Sequence, residues 1–284
     1  MQISNKKGSI LAFVVIFIIV FSLMGYGLLY LSSVDAVEVV DTHILGEAFW
    51  VAEAGIERAI NNIPSTDPLT GTVGDGAYSV TIAPVTGHSF RWTITSTGTV
   101  NSISRTIQVV IGPIGNVITS NGPIDTEHGN PTIEGTVEEY ANFTFPGVFG
   151  MSKAAVRAMA ANDYIDPPNN QMPVEDITWI EMSSGNRFNI TSTGWSGNGL
   201  LVIEGDCRIT GGTFTGILWV TGSLEVAAGN PLILGSIFVE CDVTISTDIT
   251  GTPDIGYDSI AIDEVYIDLG TTNPARRILS WQEL

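Results

Sequence analysis

The pattern of apolar and polar positions along the chain opens with an uninterrupted apolar run. From Ile10 to Leu31, 22 consecutive residues carry no charge and leave no polar face. At a rise of 1.5 Å per residue, a helix of this length spans the hydrocarbon core of a bilayer, which favours a transmembrane helix over a buried core helix. Lys6 and Lys7 precede the run and acidic residues follow it. This predicts a single-pass topology with the N-terminus in the cytoplasm and the bulk of the chain outside.

The pattern then changes to helical spacing. Apolar residues recur near every 3.6 residues at positions 45, 48, 49, 52, 56, 59 and 60. This spacing places them on one helix face, so we predict a single helix over 9–62 whose outer half lies against a further domain. Pro64 and the following Pro68 end it.

Alternating positions come next and predict strands. Residues 77–82, 90–96 and 104–111 each alternate apolar and polar side chains. We interpret 72–114 as a three-stranded antiparallel β-meander with one face packed on the helix.

The second half of the chain carries an internal repeat. The segments 202–209, 219–226 and 238–245 share one order of apolar, small and polar positions at offsets of 17 and 19 residues. A poorer copy lies at 118–137. Stacked coils with small corner residues explain such a repeat, so we predict a β-solenoid over 116–284; a β-sandwich is the alternative. Residues 139–190 interrupt it as a helical insertion, with a short helix over 151–160. The fold class is therefore α+β and mainly β.

The segment around the start of the apolar run resembles the leader of type IV pilins and type II secretion pseudopilins. Its residues are Lys6-Lys7-Gly8-Ser9 followed by Ile10-Leu11-Ala12-Phe13. The resemblance implies that a prepilin peptidase removes residues 1–8 by cutting after Gly8, and that the chain sits in the inner membrane with its bulk periplasmic or extracellular. It also implies that the helix packs against other pilin-like subunits, for which we select Ile10, Val14, Phe17, Phe21 and Leu28. Phe13 stands where major pilins carry Glu, which indicates a minor subunit.

A second block strengthens this resemblance. Ala52-Glu53-Ala54-Gly55 with Glu57 is similar to the block that ends the long helix of PilX-type minor pilins. The strand region after it resembles the same proteins, and the repeat resembles a bactofilin-like solenoid domain.

Composition narrows the remaining functions. The net charge of −19 and the scarcity of Lys and Arg exclude a nucleic-acid partner, because phosphate binding needs a basic patch. Three scattered histidines give no metal-ligand spacing, and no nucleophile or phosphate-binding motif is present. The acidic residues that best imitate a polysaccharide-cleaving site belong by default to solvated loops; they are Asp254, Asp258, Asp263, Glu264 and Asp268. We expect no enzyme activity and no cofactor.

The two cysteines are expected to stay unpaired. Cys207 matches the inward position of Val243, whereas Cys241 matches the corner position of Gly205 two coils away. Two coils are about 9.5 Å apart, beyond the reach of a disulfide. We therefore predict two buried free thiols.

Together these patterns favour a minor pilin-like structural subunit that serves filament assembly or adhesion. The alternatives are a type II secretion minor pseudopilin, a membrane-anchored glycan-binding solenoid, and a tethered polysaccharide enzyme. A stripe of exposed aromatic residues including Trp195, Trp219 and Trp281 would favour a glycan or other surface ligand.

Overall fold

The computed structural model describes residues 7–113, 115–127, 131–227, 229–246, 252–270 and 277–284, with the side chains of 7–12, 33–41, 127, 246 and 277 outside that description. The chain opens with one helix, α1 (Lys7–Ile60), of 54 residues. At 1.5 Å per residue it is about 80 Å long. It continues because no proline interrupts it, and it ends in a turn where Asn62 and Ile63 donate to the carbonyl oxygen of Ala59.

The strands after α1 form two different kinds of sheet. Four strands follow α1 directly: β1 (Leu69–Val73), β2 (Gly76–Pro84), β3 (Trp92–Val100) and β4 (Ile103–Gly112). Fourteen strands follow them: β5 (Asn116–Ser120), β6 (Ile124–Glu127), β7 (Thr132–Glu134), β8 (Thr136–Glu138), β9 (Asn162–Ile165), β10 (Ile177–Glu181), β11 (Arg187–Ile190), β12 (Ser196–Glu204), β13 (Asp206–Ile209), β14 (Thr213–Val220), β15 (Leu224–Val226), β16 (Leu232–Val239), β17 (Val243–Ser246) and β18 (Asp254–Gly256). Three helices accompany these: α2 (Phe145–Phe149), α3 (Lys153–Arg157) and α4 (Ser259–Asp268). The last strand is β19 (Arg277–Glu283).

The antiparallel sheet has five strands in the order β1-β2-β3-β4-β19. Its central strand β3 alternates buried and half-buried side chains, as expected when one face lies on a helix. The sequence predicted three of these strands. It missed β1 because a threonine- and glycine-rich segment of five residues gives little apolar alternation, and it missed β19 because that strand lies far along the chain and is bulged near Ser280.

The outer half of α1 packs on this sheet through small residues. Ala48, Ala52 and Ala59 are fully buried there together with Ile56. Close contact is possible because β3 carries Gly98, where an added Cβ would fall on the backbone of Ala48 and Ala52. The earlier segment Phe13–Ser32 has a mean hydropathy of 2.5, and none of it is buried in the fold.

Parallel strands then build a β-solenoid of about seven turns, which excludes the β-sandwich. Strands β10, β12, β14 and β16 stack in register on one side, and β11, β13, β15 and β17 stack on another. Gly199, Gly216 and Gly235 lie in register in successive coils, all with positive φ, and bend each long strand into two straight stretches. Inward side chains such as Leu218 and Val220 form an apolar interior.

The earliest solenoid strands stack at the far end of the repeat. β5 pairs with β16 and β6 pairs with β17, so residues 116–127 cover the last regular coil. β18, which follows the repeat in the sequence, completes this end coil by pairing with β16. β7 then pairs with β18. The end coil is therefore built from two chain segments more than a hundred residues apart.

The segment 139–190 is only partly an insertion. Its helices are shorter than the sequence predicted: α3 has five residues where ten were expected. From Asn162 onward the segment contributes β9, β10 and β11, which are coils of the solenoid. Their side-chain pattern does not match the repeat because the corner after Glu181 is longer, with Ser183–Asn186 forming an extra turn.

Helices α2, α3 and α4 cover the outer side of the long solenoid strands. Outward side chains of those strands, including Trp179, Trp219 and Phe238, are buried beneath them. This layer is continuous with the core between α1 and the antiparallel sheet. The solenoid interior is a second core, so the long strands are buried on both faces.

Candidate functional site

The structure places the predicted processing residues at the start of α1. The backbone of Lys7, Gly8 and Ser9 is helical, whereas Lys6 lies outside the described residues. From Phe13 to Ser32, the described part of the helix that follows, no residue is buried in the fold. The processing assignment stays a prediction.

The residues predicted to pack in a membrane or filament are exposed side chains of the free half of α1. Val14, Phe17, Phe21 and Leu28 are each about half exposed or more, and the side chain of Ile10 lies outside the described residues. Phe13, Phe17 and Phe21 form a ladder on one helix face, with ring centroids 6.2 and 5.8 Å apart. Phe13, which stands where major pilins carry Glu, is therefore the first ring of this aromatic series.

The block at the other end of α1 divides between two faces. Ala52 and Gly55 are buried against the antiparallel sheet, and an added Cβ at Gly55 would meet the side chains of Ser96 and Val80. Ala54 and Glu53 are half-buried, and Glu57 is exposed. The small residues let the helix approach the sheet, and the two carboxylates remain on the accessible side.

An aromatic corner, made of Phe49, Trp50 and Trp281, lies where α1 meets β19. The ring of Phe49 is 5.8 Å from that of Trp50 and 6.0 Å from that of Trp281, both edge to face. Sequence reasoning missed this corner because it assigned Trp281 to the solenoid. Only the position of β19 beside α1 brings Trp281 here.

Trp195, Trp219 and Trp281 do not form the exposed stripe along the solenoid that would favour a glycan ligand. Trp195 and Trp219 are 3% and 0% exposed, and Trp281 lies on the antiparallel sheet. The indole nitrogen of Trp219 donates to Glu240, and that of Trp195 donates to the carbonyl oxygen of Gln171. Both rings can be buried because each indole N–H has a hydrogen-bond acceptor inside the protein.

Polar contacts join the antiparallel sheet to the cover of the solenoid. His88 Nδ1 lies 3.3 Å from Asp263 Oδ2, and the backbone N–H of Ser89 donates to the same oxygen at 3.1 Å. Arg91 hydrogen-bonds the hydroxyl of Tyr257 and lies over its ring at 5.5 Å. Burial raises the pKa of Tyr257. Asp263 is 4% exposed, so the assignment of this acid to a solvated loop is wrong.

A second polar cluster fixes the cover to the first coils. Arg157 of α3 contacts Asp163 at 3.0 Å and Glu181 at 2.7 Å, and it lies over the ring of Trp179. Hydrogen bonds to these two carboxylates raise the pKa of Arg157, so it stays charged throughout the physiological range. Lys153 of the same helix contacts Glu240 at 2.6 Å. Every member pairs with another, which is typical of a structural cluster.

The two cysteines are free and occupy different environments. Cys207 is fully buried in the solenoid interior, in register with Leu224 and hence with Val243. Cys241 is exposed at the corner, which corrects the prediction of two buried thiols. A corner residue turns outward between two straight stretches, so its side chain leaves the core. Burial raises the pKa of the Cys207 thiol. Partial desolvation, followed by the nearby carboxylate of Asp242, raises the pKa of Cys241.

No metal centre is assembled by the described residues. No group of three or more His, Cys, Asp or Glu side chains among them converges on one point.

Comparisons with known proteins give little additional information. No family model matches the chain, and no curated protein matches it. Among solved structures, the chain is similar to a competence-associated pilin from Thermus thermophilus, over 85% of this chain and 98% of that one, with 10% identity and a TM-score of 0.24. Similarity at this TM-score carries no argument about fold or function.

Proposed function

We propose that this chain is a minor pilin-like structural subunit, inserted through α1 into a type IV pilus or a related filament. The observation that carries the proposal is the division of one continuous helix into two halves. In the inner half, Phe13–Ser32 is apolar and none of it is buried, whereas one face of the outer half, which includes Ala48, Ala52 and Ile56, is buried against the antiparallel sheet. We call the apolar, unburied part of α1 the rod and the folded remainder of the chain the head. Only lipid or other apolar helices can cover the rod.

The sequence around the rod supports the same role. Lys6-Lys7-Gly8 immediately precedes the apolar run, as in a prepilin leader, and the acidic residues lie on the far side. In this proposal the helix anchors the chain in the inner membrane until a prepilin peptidase removes residues 1–8. The helix then packs against neighbouring subunits, and Phe13 marks the chain as a minor one. No step of this role needs a catalytic residue or a cofactor.

The solenoid supplies the exposed head, where adhesion or assembly contacts would form. Its long strands are buried on both faces, so two cores hold the described part of the head together. A glycan-binding protein is the less favoured alternative, because Trp195 and Trp219 are buried and cannot contribute to an exposed aromatic stripe.

Leader processing tests the proposal directly. Co-expression with a prepilin peptidase should shorten the chain by residues 1–8, and Gly8→Ala should abolish the cut because the peptidase recognises that residue in this class. Intact mass measures both. Gly25→Ala is the matched control, since it lies in the same helix with open space around it and should be processed normally. An unshortened wild-type chain in the presence of active peptidase would refute the proposal.

A further inference from the structure

The aromatic corner contains two exposed tryptophans, whereas the other tryptophans of the chain are buried. Trp50 is 67% exposed and Trp281 is 51% exposed. The four other tryptophans, Trp92, Trp179, Trp195 and Trp219, are at most 6% exposed. Exposed tryptophans held by a neighbouring ring are typical of interaction surfaces, because a large rigid side chain loses little entropy when a partner covers it.

Carboxylates surround Trp50 along the helix. Glu47 and Glu53 lie one turn on either side of it, and Glu57 lies two turns further along the same side. Glu47 is half exposed and contacts His43 at 3.4 Å. Within the described residues, neither Glu53 nor Glu57 makes an ion pair. The indole faces and the carboxylates together attract a cation.

The side chains that the structure describes leave few cations for such a surface. The net charge of the chain is −19, so two copies repel one another. The cations at positions 105, 153, 157, 187 and 208 are each within 4 Å of an acid of the same chain. Arg58, the basic residue of the outer half of α1, points about 80° away from Trp50 around the helix. Charge complementarity therefore favours a partner other than a second copy.

We infer that the aromatic corner and its flanking glutamates dock an arginine- or lysine-bearing surface of a different subunit of the same filament. A guanidinium or ammonium group lies over the ring of Trp50, and Glu53 and Glu57 neutralise it. This inference rests on the proposed function, because the filament is what brings two different subunits side by side. It adds the chemistry of the neighbour and the face of α1 that meets it.

Site-specific photo-crosslinking in the native host tests the inference. A photoreactive phenylalanine analogue replaces Gly46 in the full chain, and the crosslinked product is mapped by mass spectrometry. Gly46 is exposed, lies one turn before Trp50 and has open space where a side chain would begin, so both tryptophans of the corner stay in place. We expect a crosslink to a different filament subunit within a segment that contains Arg or Lys. Adding Glu53→Lys and Glu57→Lys should lower the yield about tenfold, because two attractions become repulsions. Glu53→Gln and Glu57→Gln should lower it less.

Matched controls show whether a change in crosslink yield comes from this surface or from the change in net charge. Glu175→Lys with Glu264→Lys makes the same change of net charge at two exposed sites outside the corner and should leave the yield unchanged. The photoreactive residue at Tyr140, which is 66% exposed on the solenoid, should not give the same product.

Several outcomes would overturn the inference: no crosslink, a crosslink to a second copy of this chain or to lipid only, or a yield that the charge reversals do not change. Intact mass of the same samples distinguishes this from failure of the proposed function. A shortened chain without the expected crosslink removes only the inference, whereas a chain that keeps its leader removes the filament role as well.

Discussion

At the scale of single residues, the two thiols show how one repeat places equivalent chemistry in opposite environments. Cys207 points into the solenoid, and Cys241 turns out at a corner where its sulfur lies 3.5 Å from the carbonyl oxygen of Thr221. A thiol reacts as the thiolate, and both pKa values are raised, so access decides which of them reacts.

We expect iodoacetamide to modify one thiol in the folded protein and two after unfolding. The first adduct should map to Cys241, and Cys241→Ser should remove it while leaving the second. Intact-mass measurement with and without prior reduction checks the result. A mass two protons lower before reduction would mean a disulfide and would contradict the structure.

Asp166 gives a second prediction at this scale. It accepts hydrogen bonds from the side chain and backbone of Ser183 and from Asn186, and these lower its pKa. A lowered folded-state pKa contributes stability above the unfolded value of about 3.9. That stability is lost as the pH falls through the folded-state pKa.

Asp166→Asn should therefore lower the urea midpoint at pH 7, and its difference from wild type should shrink below pH 4. Glu264→Gln, at an exposed position on α4, is the control and should change little at either pH. A difference that grows on acidification would contradict the assigned direction.

At the scale of elements, the stacked glycines determine whether the coils can form. Gly216 lies between Gly199 and Gly235 with φ of 136°, and a Cβ there would collide with the backbone of Gly199. A residue with a Cβ at this position would have a strained backbone. It would also clash with backbone atoms, which cannot move aside as a flexible side chain can.

Gly216→Ala should lower the free energy of unfolding by about 3 kcal/mol or prevent folding. Gly87→Ala is the matched control: its φ is also positive, at 84°, but nothing lies within 4 Å. That variant should cost about 1 kcal/mol from strain alone. Denaturant unfolding measures both, and equal losses would show that the clash is not the cause.

The elements that the sequence predicted well are those with a regular local pattern. α1, the strands β2 to β4 and the coils from β12 to β17 each carry their periodicity within a few residues. The solenoid was found because inward positions repeat at offsets of 17 and 19, which the register of Val220 with Ile203 and Val239 confirms.

Elements defined by distant contacts were not predicted. The pairing of β5 with β16 and of β19 with β4 joins residues more than a hundred positions apart, and no local pattern encodes it. The contact between His88 and Asp263 belongs to the same class, because the partners are 175 positions apart in the sequence. The aromatic corner also depends on such a pairing, so its two exposed tryptophans could not be associated from the sequence.

At the scale of the whole molecule, the chain leaves the antiparallel sheet at the end of β4 and returns to it as β19. Everything between them, including the solenoid and its cover, is inserted between two neighbouring strands. The pairing of β19 also covers the edge of β4 and supplies Trp281 to the aromatic corner.

Truncation after Gly270 should weaken the coupling between the sheet and the solenoid. We expect a lower unfolding midpoint and a broader transition, because the sheet loses its edge strand and Arg105 loses its contact with Glu283. Arg105→Ala isolates the second effect and should cost less than 1 kcal/mol, since that pair is partly exposed. Thermal unfolding followed by circular dichroism measures both, and a truncated chain as stable as wild type would contradict this role of β19.

The insertion of the solenoid between β4 and β19 also sets the path of mechanical load. Tension applied along α1 passes into the antiparallel sheet through the buried outer half of the helix, and both connections to the solenoid emerge from adjacent strands of that sheet. In the chain's connectivity, the solenoid therefore does not lie in series between the helix and the sheet. A pull on the rod loads the contact between helix and sheet in shear. A pull on the solenoid reaches the rod through the connections to β4 and β19 and through the contacts of His88 and Arg91 with the cover.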